Sequence, residues 1–252
     1  MRMAEETQKK RKKKRRKKNY ILRAFVLIAL GTGVYYWLTS PFFDVQRIVV
    51  ENNRHYTREQ IIRMAGATVG QNIFTAETAL MRDALLKDPY IRSVRVRRVL
   101  PSDIVITVEE RVETAKVPYA DLFIVIDNDG LILRMTDARL RLPILIGMTV
   151  KTMEPGGALE VEEPAVLTET LRFLEVMEKT NMFFHIIDVS NVVARLYVYA
   201  EIVCEGTLGN IKESLTSGRL ERVLFERYTQ GITRGIIRVR SEGYISFHPG
   251  VD

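Results

Sequence analysis

Cysteine occurs once in this 252-residue sequence, at Cys204. No intrachain disulfide can staple the fold and no thiolate cluster can hold a metal, so stability has to come from packing. Histidine is nearly as scarce: His55, His185 and His248 stand far apart. The sequence has no His-Glu-x-x-His pair, no Gly-x-x-x-x-Gly-Lys phosphate loop and no Gly-x-Ser-x-Gly elbow. The common signatures of zinc hydrolases, P-loop NTPases and serine hydrolases are therefore missing. Two carboxylate pairs remain. Glu109-Glu110 closes an alternating run and reads as a strand edge, and Asp127 with Asp129 reads as a turn. His55 reads as part of an exposed turn, and Cys204 as a small apolar filler. No catalytic, cofactor-binding or metal-ligating residue is assigned, and no cofactor or small-molecule substrate is expected. Long repeats and large Gly/Pro/Ser-rich linkers are absent too, with Ser40-Pro41 the only brief break near the start.

Long apolar runs are equally few: there is one, Tyr20 to Leu38. A helix of about 19 residues rises about 28 Å, close to the roughly 30 Å hydrocarbon core of a bilayer. Arg23 is its one charge, near enough to the end to snorkel to the headgroups. Tyr35, Tyr36 and Trp37 form a collar at the other end, where amphipathic rings favour the interface. Two other readings, a cleaved signal peptide and a buried core helix, fit less well. Bulky rings occupy the place of a cleavage site, and a core helix does not normally follow a long basic run.

That basic run changes the meaning of the overall charge of +7. Residues 1–18 carry eleven Lys and Arg, namely Arg2 with Lys9, Lys10, Arg11, Lys12, Lys13, Lys14, Arg15, Arg16, Lys17 and Lys18, against Glu5 and Glu6. Their net charge is +9, so the remaining residues net −2. Nucleic-acid binding needs a basic patch on a folded surface, and here the charge is concentrated in a low-complexity tail. Lys9 to Lys18 read instead as a topology signal, holding the tail in the cytoplasm and sending the C-terminal part outside. Attraction to anionic lipid accompanies that placement.

Beyond the break, Phe43, Val45, Ile48 and Val50 predict a strand ending at Asn52-Asn53. Thr57 and Gln60 form a capping-box pattern for a helix that stops at Gly66. A second helix is expected from about Thr75, with Ala76, Leu80 and Ala84 on its apolar stripe, to Asp88-Pro89. Strands Ile91 to Val99 and Ile104 to Val108 follow, completing β-α-α-β-β. In the second half, Phe123–Ile126 and Leu131–Leu133 flank the turn Asp127-Asn128-Asp129-Gly130. A helix is expected over Pro164 to Lys179, strands at Phe184–Val189 and Arg195–Val203, a helix from Ile211 to Tyr228, and last strands at Gly235–Arg240 and Tyr244–Phe247. Ser217-Gly218 weakens that last helix. The fold class expected is α+β.

The pattern Phe-x-Val-x-x-Ile-x-Val from Phe43, Gly-x-Asn-Ile-Phe at 70–74, Pro-Tyr-Ile-x-x-Val-x-Val at 89–96, Leu-Pro at 100–101 and Val-x-Glu-Arg at 108–111 resembles the POTRA domain of the FtsQ/DivIB cell-division family. Asp-x-x-Gly at 127–130 and Leu142-Pro143 with Gly147 match that family's second domain. Glu113 departs from it, where a proline is common. The resemblance implies a basic tail at 1–18, a span at 19–39, a POTRA domain at 42–110 and a β-rich domain at 112–252. It implies a single-pass scaffold of the cell membrane, located at the septum, with no enzyme activity. The partners implied are the FtsB/DivIC-like and FtsL-like division proteins. At the chain's end, Ile237, Arg240 and Phe247 match an Ile-Asp-x-Arg pattern followed by an aromatic, with Arg238 in place of the Asp. Arg240, Tyr244 and Phe247 are therefore the expected partner-binding residues. A membrane-tethered enzyme such as a cell-wall hydrolase and another POTRA-bearing transport factor are the alternatives.

If each strand and helix of Phe43–Glu110 carries a complete apolar face, that segment unfolds cooperatively when expressed alone. A broad thermal melt with random-coil amide shifts would remove the boundary.

Overall fold

The computed structural model describes residues 20–180, 182–199, 201–241 and 244–250. The basic tail proposed as a topology signal lies outside them, as does Ala200 within the expected strand. Helix α1 runs Tyr20–Leu38. It is long and apolar enough to cross a membrane, and none of its residues is buried.

The chain leaves α1 through the 3-10 turn Pro41–Phe43 and enters β1 (Arg47–Glu51), α2 (Arg58–Ala65), α3 (Thr78–Leu85), β2 (Ile91–Val99) and β3 (Asp103–Glu110). These strands form one sheet in the order β1-β3-β2, with β1 parallel and β2 antiparallel to β3. Alternation puts Ile48, Ile104, Ile106 and Val108 on one face, where they pack with Ile61, Ala65, Met81 and Leu85 of the helices. The expected capping box is present: Thr57 N donates to Gln60 Oε1 at 2.7 Å and Gln60 N to Thr57 Oγ1 at 3.3 Å.

Three expectations for this unit are corrected. Phe43 is not in a strand; it is a buried residue of the 3-10 turn, and β1 starts at Arg47. Helix α3 starts at Thr78 rather than Thr75. Asn72 closes a turn first, its side-chain oxygen taking Phe74 N at 3.0 Å and its carbonyl taking Thr75 N and Oγ1. With the later start, the buried residues of α3 are Met81 and Leu85, Ala76 is buried ahead of the helix, and Leu80 points to solvent.

The second unit is a nine-stranded sheet with helices on one face. Its strands are β4 (Ala115–Tyr119), β5 (Leu122–Ile126), β6 (Ile132–Thr136), β7 (Ile144–Ile146), β8 (Ile186–Asp188), β9 (Ala194–Tyr199), β10 (Ile202–Gly206), β11 (Gly235–Val239) and β12 (Ile245–Pro249). The order is β12-β11-β10-β9-β8-β7-β4-β5-β6. Helices α4 (Pro164–Glu178), α5 (Leu208–Thr216) and α6 (Arg219–Thr229) cover Ile124, Leu145, Ile187, Leu196, Cys204 and Ile237.

The expected strand Arg195–Val203 is a hairpin. Its uniform apolar alternation conceals the reversal, and Tyr199 pairs back onto Ile202. The expected helix Ile211–Tyr228 is two helices, because Gly218 takes φ 67° and breaks the ladder between them. Strands β4 and β7 add to the expected set. β4 carries Pro118, a poor strand former, and β7 is only three residues long, so neither gives a clear local signal.

The two units meet through side chains on either side of the 111–114 connection. Asp127, fully buried, accepts from Asp129 N at 3.0 Å, from Leu131 N at 2.8 Å and from Arg111 Nη1. Arg111 and Arg92 both reach Asp129, at 3.1 and 2.8 Å. Glu113, at the position where the resembling family commonly has proline, accepts from Arg134 Nε and from Tyr90 Oη, each at 2.7 Å. Burial pushes the Glu113 carboxyl up, but the bonds from Arg134 and Tyr90 outweigh it and hold the group below its ordinary range.

A carboxylate depressed in the folded state contributes stability above its unfolded pKa, and the contribution is lost as pH falls through the folded value. Tyr56 has the opposite sign. Burial and its bond to Asp88 raise it to about 12, so its contribution is full below pH ~10 and is lost toward pH 12. Glu113→Gln should flatten the acid limb of the stability-versus-pH curve. Denaturant melts between pH 2 and 7 read this, and an unaltered acid limb would remove Glu113 from the linkage.

Candidate partner-binding edge

Strand β12 ends the larger sheet. It pairs with β11 on one side, and no described strand pairs with its other side. The ladder fixes which backbone groups face out. Arg240 N donates to the Tyr244 carbonyl at 2.9 Å, so 240/244 is a hydrogen-bonded pair, and 238/246 and 236/248 are the next such pairs. The N–H and C=O groups of Ile245 and Phe247 therefore point away from β11, toward any strand that docks. Pro249 has no N–H and ends the donor row.

The side chains divide between the two faces. Ile245 and Phe247 pair with Val239 and Ile237 and pack partly against the core below the helices. The Arg227 guanidinium of α6 lies 5.1 Å from the Phe247 ring centroid. Ser246 and Arg238 belong to the opposite, helix-free face, and the alternation carries Arg240 and Tyr244 onto that face. Arg238, the departure from the resembling pattern, pairs with Glu205 at 3.3 Å, and Arg195 joins the same carboxylate at 3.2 Å. Arg240 and Tyr244 are exposed, Tyr244 by 65%. The three expected residues thus share one sheet edge but not one face.

Gly235 is what lets β12 approach. It takes φ 145°, and a Cβ there would stand 2.6 Å from the His248 carbonyl oxygen and 2.6 Å from the Phe247 ring. No other residue fits without moving the edge strand.

Sequence reasoning misses the neighbours that α6 supplies. Phe225 and Tyr228 are exposed by 66% and 65%, and α6 abuts β12 through Arg227. Their i, i+3 spacing on an otherwise charged helix is the available signal. A cleft of about 830 Å³ lies instead at the junction of the two units. Its carboxylates are already engaged: Glu110 accepts the backbone N–H groups of residues 54, 55 and 56, Glu113 is held as above, and Glu109 takes Ser93 Oγ at 2.9 Å. His55 stacks on Tyr90 with centroids 4.0 Å apart. Cys204 is fully buried and its thiol is pushed up to about 12 by that burial, so it is an inert filler. No cluster of three or more metal-ligating side chains occurs among the described residues.

An apolar helix of spanning length, a β-α-α-β-β unit and a one-sided sheet with a bare terminal edge define a POTRA-bearing protein whose exposed features suit strand docking better than chemistry. The profile of the FtsQ-type POTRA domain matches residues 43–111. The cell division protein FtsQ of Syntrophotalea carbinolica is 32% identical over 146 residues, covering 57% of this chain and 50% of that protein. The cell division protein DivIB of Clostridium acetobutylicum is 28% identical over 170 residues, 66% of this chain and 68% of that protein. DivIB of Clostridium botulinum is 25% identical over 217 residues, 84% of each. The FtsQ-type POTRA match and these relatives support a place for the chain in the FtsQ/DivIB family. Its match spans half the length of the first of these relatives.

Because Phe247 is half-buried against the core, Phe247→Ala should cost about 1–3 kcal/mol, below the roughly 3–5 of a fully buried ring. Tyr244→Ala should stay within about 0.5 kcal/mol. Urea melts of the two variants distinguish them, and equal losses would contradict this division of the edge.

Proposed function

We propose that this chain is a non-enzymatic, membrane-anchored scaffold of the cell-division machinery. Its basic tail stays in the cytoplasm, α1 crosses the membrane, and the two folded units stand outside at the septum. There they hold FtsB/DivIC-type and FtsL-type partners and link them to septal wall synthesis. The family supports the division role, and the length and apolarity of α1 support the anchor.

One observation carries the partner reading: among the described residues, none pairs with the outward N–H and C=O groups of Ile245 and Phe247 at the end of the sheet. An added strand gains main-chain hydrogen bonds there, each contributing about 0.5–1.5 kcal/mol net. Arg240 and Tyr244 sit at the start of the edge, where a guanidinium selects a partner carboxylate and a ring adds contact area.

The test is calorimetry of the detergent-solubilised chain against the extracytoplasmic segment of an FtsB/DivIC-type protein. Arg240→Glu should lose about 1–4 kcal/mol of affinity. Ile245→Pro removes an outward donor without touching the β11 ladder and should weaken binding as well. If both variants remain folded by circular dichroism and bind like wild type, the partner site is elsewhere.

A further inference from the structure

The joint between α1 and the POTRA unit is rigid and short. Asn72 Nδ2 donates to the Leu38 carbonyl at 2.8 Å, satisfying one of the free acceptors at the end of α1. Leu38 itself packs against the POTRA core, and Trp37 meets Phe43 edge to face at 5.1 Å. Only Thr39 and Ser40 separate the helix from the 3-10 turn. If α1 spans, its 19 residues use up the roughly 30 Å hydrocarbon core, and the chain beyond Leu38 starts within a headgroup layer about 5–8 Å thick.

Two loops share that end of the unit. Val45 exchanges backbone bonds with Gln71 and Gly70, which brings in the 69–74 loop. Gln46 and Arg47 both donate to the Ser102 carbonyl, which brings in the β2–β3 turn. The same end exposes five large apolar side chains: Phe42 (60%), Val69 (63%), Phe74 (43%), Val99 (42%) and Leu100 (58%). Phe42 and Phe74 each lie within 5.1 Å of the Phe43 ring, so the aromatic collar of α1 continues into the folded unit. Arg97, exposed near the end of β2, lies beside them, whereas Arg98 donates from Nη2 to the Ala76 carbonyl at 2.7 Å. Arg47 is paired with Asp103, and Asp44 pairs with Asn72 through the backbone alone.

We infer that this end of the POTRA unit is a membrane surface, seated in the headgroup layer of the leaflet that α1 leaves, with the apolar rim against acyl chains and Arg97 at lipid phosphates. An apolar rim this exposed on a soluble face is a liability, whereas two residues from a bilayer it is buried by lipid. The seat fixes how far from the membrane the β12 edge stands and which way it faces. The inference rests on the reading of α1 as a span.

Site-directed spin labelling of the full chain in vesicles of phosphatidylglycerol and phosphatidylcholine tests it. Buried Cys204 stays unlabelled, so single cysteines at Val69→Cys and Leu100→Cys report alone. Ile28→Cys in α1 and Val192→Cys, 88% exposed in the second unit, are the controls. Labels at 69 and 100 should collide more with dissolved oxygen than with an aqueous nickel chelate, as at 28, and the ratio should reverse at 192. Phe42→Asp should reduce that preference at 100 while the thermal melt stays cooperative. Labels at 69 and 100 that behave like 192 while 28 is lipid-facing overturn the seat alone. A water-facing label at 28 overturns the span and the seat together.

Discussion

The carboxylate of Asp127 has no exposed surface, and it is neutralised by Arg111, the first residue of the connection between the two units. Breaking a buried pair by removing one partner typically costs about 3–5 kcal/mol, because the remaining charge cannot recover its hydration. Two backbone N–H groups also bind Asp127 and soften that loss, but neither supplies positive charge. The contact ties the Asp127-Asn128-Asp129-Gly130 turn, which the sequence presents as an isolated hairpin signal, to the residue that directly follows β3. Arg92 on Asp129 and Arg134 on Glu113 extend the tie on both sides. Exposed pairs of this kind contribute little singly, so the orientation of the two units depends chiefly on Asp127 and Arg111.

With that joint in place, the edges of the larger sheet differ in kind. At one end, β6 is partly covered: Ile132 N donates to the Gly157 carbonyl, Gly156 N returns to the Ile132 carbonyl, and Leu131 bridges Ala158. At the other end nothing among the described residues caps β12. An uncapped edge invites pairing with a foreign strand, and proteins that do not use one protect it. Here the protection is limited to Pro249 and the charge of Arg240. Glu113 meanwhile substitutes ionic contacts for the conformational restriction of a proline, which makes the connection sensitive to acid where a proline would not be.

Local chemistry made much of the architecture legible. Apolar length gave α1. The Thr57/Gln60 box gave α2, period-two alternation gave β2 and β3, and the Asp127–Gly130 turn gave the β5–β6 hairpin. Misreadings arise where one pattern serves two structures. The alternation from Arg195 to Val203 is the same for one long strand as for a hairpin folded on itself, and only cross-strand pairing separates them. Phe43 has the composition of a strand residue but is held in a turn by its packing against Trp37, Phe42 and Phe74. Pro118 hides β4, because a proline that pairs within a sheet runs against local propensity.

The order of apolar helix, β-α-α-β-β unit and β-rich unit is written in the residues alone, since it depends on periodicities and caps within about 20 residues of each other. So is the placement of Arg240, Tyr244 and Phe247 at the end of the chain's last strands. It took the folded arrangement to make β12 the outermost strand, to turn Phe247 inward while Arg240 and Tyr244 face out, and to require glycine at Gly235. Folding likewise joined Arg111 to Asp127 and Asn72 to the end of α1. These are contacts between residues far apart along the chain, or choices of face set by a neighbouring strand, and no local pattern encodes which distant segment will supply the partner.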